Sequence, residues 1–376
     1  MCSFVPLRLI CGEDVIWQNP RPSSTLLCRP IYFKFVNENK LDIKEEMAMV
    51  EAEITALKPS VISNNINVKH SMLMTMIDGK IASHLSQTSM QTCDICKAVP
   101  SEMNDLKKIK ENISSDLYKY GLSTLHAWIR CMECMLHIAY RLEFKKWQAR
   151  DEASKTMMKN RKLSIQQKFR DQMGLLIDVV KQGAGTTNDG NTARTFFRNP
   201  EKTADITGLS PELIQKFAVI LRVVSSGQPI NTDTFADYAQ KTAQLYVELY
   251  SWYFMPASVH KLLLHGAEII KHFSILPIGQ LSEEASEARN KDFRKIREHH
   301  TRKFSRVATN EDIFNGFITS SDPYLSSIRP VLKKNYKRQV TDEMKLLLLS
   351  DNSLDQENVE FVDVTNMVDS DFSEED

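Results

Sequence analysis

The tightest constraint on this chain is a set of four potential metal donors that the sequence keeps far apart. Cys93 and Cys96 form a Cys-x-x-Cys pair. His260 and His265 form a His-x4-His pair more than 160 residues later. Both spacings are used by tetrahedral zinc sites. If the two pairs share one ion, that ion staples the base of everything between them. Two other readings stay open. The four residues could be core cysteines and helix-surface histidines. Alternatively, Cys93 and Cys96 could pair with Cys131 and Cys134 in a four-cysteine site. The amphipathic pattern around Cys131 and Cys134 weakens that pairing and favours two small residues on a helix.

Seven cysteines, four of them in Cys-x-x-Cys pairs, suit a reducing compartment. No apolar run reaches the roughly 18–20 residues that cross a bilayer. The N-terminal apolar patch has neither a basic flank nor a small-residue cleavage site, so no signal peptide is read. The net charge of zero hides a segregation. Residues 351–376 carry ten acidic and no basic residues, which leaves residues 1–350 at +10. A basic body with an acidic tail suits a polyanion partner, and the tail competes for the same surface or is simply solvated.

The chain changes character along its length. Ser3–Ile10 and Arg29–Val36 read as strands, with the proline- and serine-rich turn of residues 19–25 between them. Residues 41–57 take a helical period and stop before Pro59. Residues 69–77 read as a strand ending at Asp78-Gly79. Asp78 is then either a carboxylate fixed at a strand end, where active sites are often built, or half of a turn. Leu125, Ile129, Met132, Leu136 and Ala139 mark one stripe of a helix near 124–142. Residues 155–173 read as a basic helix and 183–194 as a loop. Ser210-Pro211-Glu212 starts a helix that runs to about Ser225, and another spans 232–250. A weak helix at Glu343–Leu349 precedes disorder.

The remaining chemistry clusters after the histidines. Glu283, Glu284 and Glu287 precede a run of cations that includes Lys291, Arg294, Arg297, Arg302 and Lys303. Two-metal enzymes that cut phosphodiesters need several carboxylates around two Mg2+ ions about 4 Å apart. Spacing alone does not choose which glutamate would join Asp78. The basic run is either a phosphate-binding surface or a solvated helix face. Arg194, in the segment Asn-Asp-Gly-Asn-Thr-Ala-Arg, is a further candidate for a phosphate backbone. That segment fits no nucleotide-binding fingerprint.

The segments SVHKLLLHGAEII and IGQLSEEASEARNKDFRKIR resemble the catalytic core of Transib-type DNA transposases and of the RAG (V(D)J) recombinase catalytic subunit. VIWQNPRPSSTLLCRPI and NDGNTAR are similar to further segments of that family, and the likeness spans about Ser3 to Leu325. The resemblance implies zinc held by Cys93, Cys96, His260 and His265. It implies catalytic Mg2+ or Mn2+ ligands at Asp78 and at Glu287, which stands four residues before Lys291 of the Asn-Lys pair. Glu283 and Glu284 are then neighbours.

The implied fold is α+β: an RNase H-like mixed sheet interrupted by a large zinc-stapled helical insertion. The implied division is a partial sheet region at 1–90, the insertion at 91–270, a basic catalytic-type helix region at 271–337 and an acidic disordered tail at 338–376. The family's first catalytic aspartate lies on an opening strand upstream of all the matched residues, and Asp14, in Gly-Glu-Asp, does not replace it. The expectation is therefore a DDE-class, transposase-derived DNA-binding protein whose strand-cleavage site is incomplete. The alternative is a domesticated, non-catalytic DNA-binding or assembly protein. A homodimer, a nuclear location and no membrane association are expected with it.

Overall fold

The computed structural model describes residues 2–33, 40–62, 66–73, 77, 79–107, 113–181, 185–273, 276–281, 283–328 and 340–349. In chain order it holds strands β1 (Cys2–Phe4), β2 (Arg8–Cys11), β3 (Asp14–Gln18) and β4 (Arg29–Tyr32). Helix α1 (Lys40–Thr55), strands β5 (Ser60–Ile62) and β6 (Ile66–Val68) and helix α2 (Gly79–Leu85) follow. Then come α3 (Thr124–Ala139), α4 (Glu152–Met173), α5 (Gly190–Arg198), α6 (Pro200–Thr207), α7 (Pro211–Val224) and α8 (Thr232–Tyr250). The last helices are α9 (Ala257–His260), α10 (Gly266–His272), α11 (Glu284–His299), α12 (Arg306–Ser320), α13 (Pro323–Ile328) and α14 (Asp342–Leu347). The protein is α+β and mostly helical. Among the described residues the named strands pair as three two-stranded antiparallel sheets, β1–β4, β2–β3 and β5–β6.

The chain divides into two units, and the expected sheet region 1–90 is shared between them. One holds Met1–Asn37, Gly279–Val340 and Ser350–Asp376; the other holds Glu38–Ile278 and Thr341–Leu349. In the second unit the helix starts follow from local chemistry. Ser210 accepts a hydrogen bond from Leu213 N with Pro211 in the first turn, so α7 begins where its sequence directs. Asn231 caps α8 by accepting from the amides of Asp233 and Thr234. Asp151 caps the basic helix α4. The core of this unit is α7, whose Leu213, Ile214, Phe217, Val219, Ile220 and Leu221 are all fully buried.

Four expectations change. The first strand is shorter than Ser3–Ile10 and is split around Pro6, which has no N–H to give a ladder. The strand expected at 69–77 is absent from its described residues; the pairing falls earlier, where Ile66–Val68 meets Ser60–Ile62. The loop expected at 183–194 ends at Asp189, which caps α5 by accepting from Thr192 N. A Cβ at Gly190 would sit 2.6 Å from Leu125 Cδ1 and displace that side chain, because α5 starts directly against α3. Finally, the buried face of α3 is wider than the expected stripe, of which Met132, Leu136 and Ala139 are buried. Leu125 and Ile129 are half-buried, while Ala127, Trp128, Cys131, Cys134 and Met135 are buried. Helices α5, α7 and α9 all pack on α3 and cover more of its circumference than one stripe.

The first unit contains the β1–β4 pair, the β2–β3 hairpin and helices α11 to α13. Arg289 of α11 is its centre. Its side chain is 1% exposed, and Nε donates to Cys28 O at 3.1 Å. One terminal nitrogen donates to Asp292 (2.9 Å) and Ser320 Oγ (2.7 Å), and the guanidinium lies over the Phe317 ring. A buried guanidinium is tolerated only when its donors are matched in this way. Gly316 lets α12 approach α11, since a Cβ there would stand 3.1 Å from Ile296 Cδ1.

Candidate metal centre

The cysteine half of the centre is a tight knuckle. Cys93 N donates to Ala98 O and Lys97 N donates to Cys93 O, each at 3.0 Å. Lys97 takes a left-handed backbone (φ +61°), which reverses the chain just after the second cysteine. This turn points both sulfurs to one side, and the Ala98 amide supports the Cys96 sulfur.

The histidine half depends on a helical defect. Five residues apart on a regular α-helix, two side chains diverge by about 140°. Here Lys261–His265 is a π-helical turn between α9 and α10. A π turn pairs residue i with i+5, so the two rings come to the same face, with centroids 5.3 Å apart. Asn104 holds the approach to this helix: Nδ2 donates to Ser251 O and Tyr253 O, and Oδ1 accepts from Met255 N.

The two halves meet. One donor atom from each of Cys93, Cys96, His260 and His265 lies within 4.8 Å of every other. Cys96 Sγ stands 3.3 Å from His260 Nε2 across 164 residues of sequence. All four side chains are buried, Cys96 most exposed at 8%, so the site has no open face for a substrate. His260 Nδ1 and His265 Nε2 are buried without a hydrogen-bond partner. Such orphaned nitrogens are costly unless something else satisfies the group. The hydrogen bond from Cys93 pulls the Cys96 thiol down to about 7, and that same bond together with burial holds Cys93 up. One proton leaves the pair near neutrality; a cation is needed to draw off the second. These four residues could hold a metal ion, and among the described residues no other group of three or more donors gathers.

Cys131 and Cys134 do not join them. Both are 1% exposed in the core of α3, and Cys134 Sγ lies 3.4 Å from the Tyr246 hydroxyl. Burial pushes Cys134 up to about 12 and holds Cys131 well above the usual thiol value, as expected of inert core thiols.

Sequence reasoning missed Asp94 and Lys261. Lys261 Nζ and Asp94 Oδ2 form an ion pair at 2.9 Å, with side chains 14% and 11% exposed. Each stands directly beside a candidate ligand, so the pair locks the knuckle to the π turn. Adjacency in sequence was the available signal; opposite charge on both flanks of a split site is weak evidence by itself.

The other candidate residues fall elsewhere. Asp78 lies outside the described residues. Glu287 is exposed in the first turn of α11, where it and Glu284 suit the helix dipole. Lys291, Arg294 and Arg297 continue along the exposed side of that helix. Arg302 is ion-paired to Asp312 at 2.8 Å, and Lys303 Nζ donates to Glu298 O. Arg194 belongs to the other unit, on α5, with its guanidinium over the Trp128 ring. No protein-family model matches the chain, and no curated protein matches it. No helix among the described residues is long and apolar enough to cross a membrane.

Proposed function

We propose that this protein is a DNA-binding protein derived from a DDE-class transposase of the Transib and RAG recombinase type, with its helical region stapled by structural zinc. The observation that carries the reading is the convergence of Cys93, Cys96, His260 and His265, the four residues that the resemblance singles out. Zinc suits the donor set. Two sulfurs and two imidazole nitrogens at zinc bond lengths of about 2.3 and 2.0 Å form a tetrahedron with edges of roughly 3.3–3.8 Å. A contraction of the knuckle toward the π turn reaches that from the observed spacing. A redox-inactive ion with a closed shell of four protein ligands holds chain segments together and leaves chemistry to other residues.

In this reading the exposed cations on and after α11 contact DNA phosphates. Glu287 and Asp78 are the carboxylates of the family's Mg2+-dependent strand cleavage, in a nuclear protein that works as a homodimer. A domesticated DNA-binding protein without cleavage is the alternative; a Mg2+ or Mn2+ nicking assay of the wild type and Glu287→Gln separates the two. Nicking that survives Glu287→Gln removes Glu287 from the site.

The first test is metal content. The purified chain is expected to carry about one zinc per chain. Cys93→Ser and His265→Ala are each expected to lose it and to lower the thermal midpoint by roughly 10 °C, the effect of a few kcal/mol in a domain of this size. A metal-free wild type that cannot be loaded with zinc would end the assignment. The second test is duplex binding across salt. Affinity should fall steeply with salt and need no Mg2+.

A further inference from the structure

The turn between α11 and α12 carries a feature that phosphate binding alone does not explain. Phe304 is 78% exposed, in the sequence Arg302-Lys303-Phe304-Ser305-Arg306-Val307, and Val307 is 68% exposed. The ring stands in water among cations. The ring is also braced. The Arg302 guanidinium lies 5.8 Å from its centroid, and Arg302 is itself fixed by Asp312. Nε and a terminal nitrogen of Arg302 donate to the Asp312 carboxylate at 2.8–3.1 Å, and its backbone N–H donates to the same group at 2.7 Å. The ring thus has a cation over it and still keeps most of its surface open.

Its chain neighbour Lys303 reaches a groove of about 640 Å3 between α11 and α12. Arg294, Arg297 and Lys303 line it, with Phe293, Thr309 and one acidic residue, Glu298. Cations outnumber the carboxylate three to one, which suits a phosphate chain. An aromatic platform next to a basic groove is the arrangement that binds nucleic acid through unpaired bases: phosphates track the groove while a base stacks on the ring. Arg302 then braces the platform, a different role from the phosphate contact expected of it.

We infer that Phe304 and the Arg294–Arg297–Lys303 groove form a binding site for DNA with unpaired bases, such as a single strand or a melted end. This rests on the DNA-binding reading above and specifies the form of DNA. The groove and ring are local to one turn and two helices, and Phe304 is mostly exposed, so its removal does not threaten the fold.

The experiment compares a labelled single-stranded oligonucleotide with a duplex of the same length, on the full chain, with 2-aminopurine as a stacking reporter. Wild type is expected to bind the single strand more tightly and to change the reporter's emission. Phe304→Ala should lose roughly tenfold in single-strand affinity together with the reporter signal, keep duplex affinity within about twofold, and be rescued by Phe304→Trp. Arg294→Ala with Arg297→Ala should weaken both forms and lower the duplex salt slope by about two. Duplex binding in which Phe304→Ala changes neither form, or changes both equally, overturns this site and leaves the DNA-binding reading standing. No binding of either form at low salt overturns both. Phe304-dependent binding to anionic vesicles with no effect on DNA would reassign the ring to a membrane surface and overturn the site.

Discussion

At the scale of single residues, the metal centre is set by its neighbours as much as by its ligands. Asp94 and Lys261 pair at 2.9 Å with little exposure. Removing one partner strands the other charge, so Asp94→Asn is expected to cost about 2–3 kcal/mol, while Asp94→Asn with Lys261→Met should recover most of that. Urea unfolding of the two variants measures the difference. His137 gives a pH signature of its own. Burial, and then Arg141, lower its pKa below the usual 6.5. In the unfolded chain it protonates near 6.5; in the folded chain it stays neutral to lower pH. The unfolded state therefore binds more protons below about pH 6.5, and stability falls as pH drops through that range. His137→Gln should lose less stability than wild type between pH 7.5 and 5.5, measured by urea midpoints. An equal loss would remove His137 as a source.

At the scale of elements, the π turn decides whether the histidines can act together. A π turn accommodates one more residue than the α-helix it interrupts. Deleting Leu264, the half-buried leucine of the turn, converts His-x4-His to His-x3-His. On a restored α-helix those rings share a face, because four residues turn by about 400°. The deletion is expected to keep about one metal per chain, read by elemental analysis. Loss of metal with the helix content intact would show that an α-helical His-x3-His pair does not place the rings as the π turn does. The start of α7 was readable because its cause is local, Ser210 and Pro211 acting within three residues of themselves, whereas the basic helix, expected from 155, starts three residues earlier on its Asp151 cap. The defect at Lys261–His265 was not readable, since nothing in Lys-Leu-Leu-Leu-His departs from a good α-helical sequence.

At the scale of the whole molecule, an ion at this centre closes a loop across the 164 residues from Cys96 to His260. Closing so long a loop costs chain entropy that the ion's ligand bonds offset. Chelation is expected to expose the knuckle and the helix from Ala257 to His272 to hydrogen exchange. The core of α7, fully buried without help from the metal, should stay protected. Equal loss of protection in both would mean that the ion holds the entire unit rather than clipping two segments.

The sequence by itself determined the residue types that can ligate, the cap of α7, the ends of α7 and α8, and the segregation of acid into residues 351–376. These follow from short-range chemistry and composition. Only the tertiary structure decided that Cys93 and Cys96 meet His260 and His265 while Cys131 and Cys134 stay in the core. It alone revealed that Asp94 reaches Lys261, that Arg289 is buried and that Arg302 turns to Asp312. Each of these depends on which distant segment packs where. That is fixed by burial summed over many side chains and by a local helical defect, and neither is written in the spacing of any one motif.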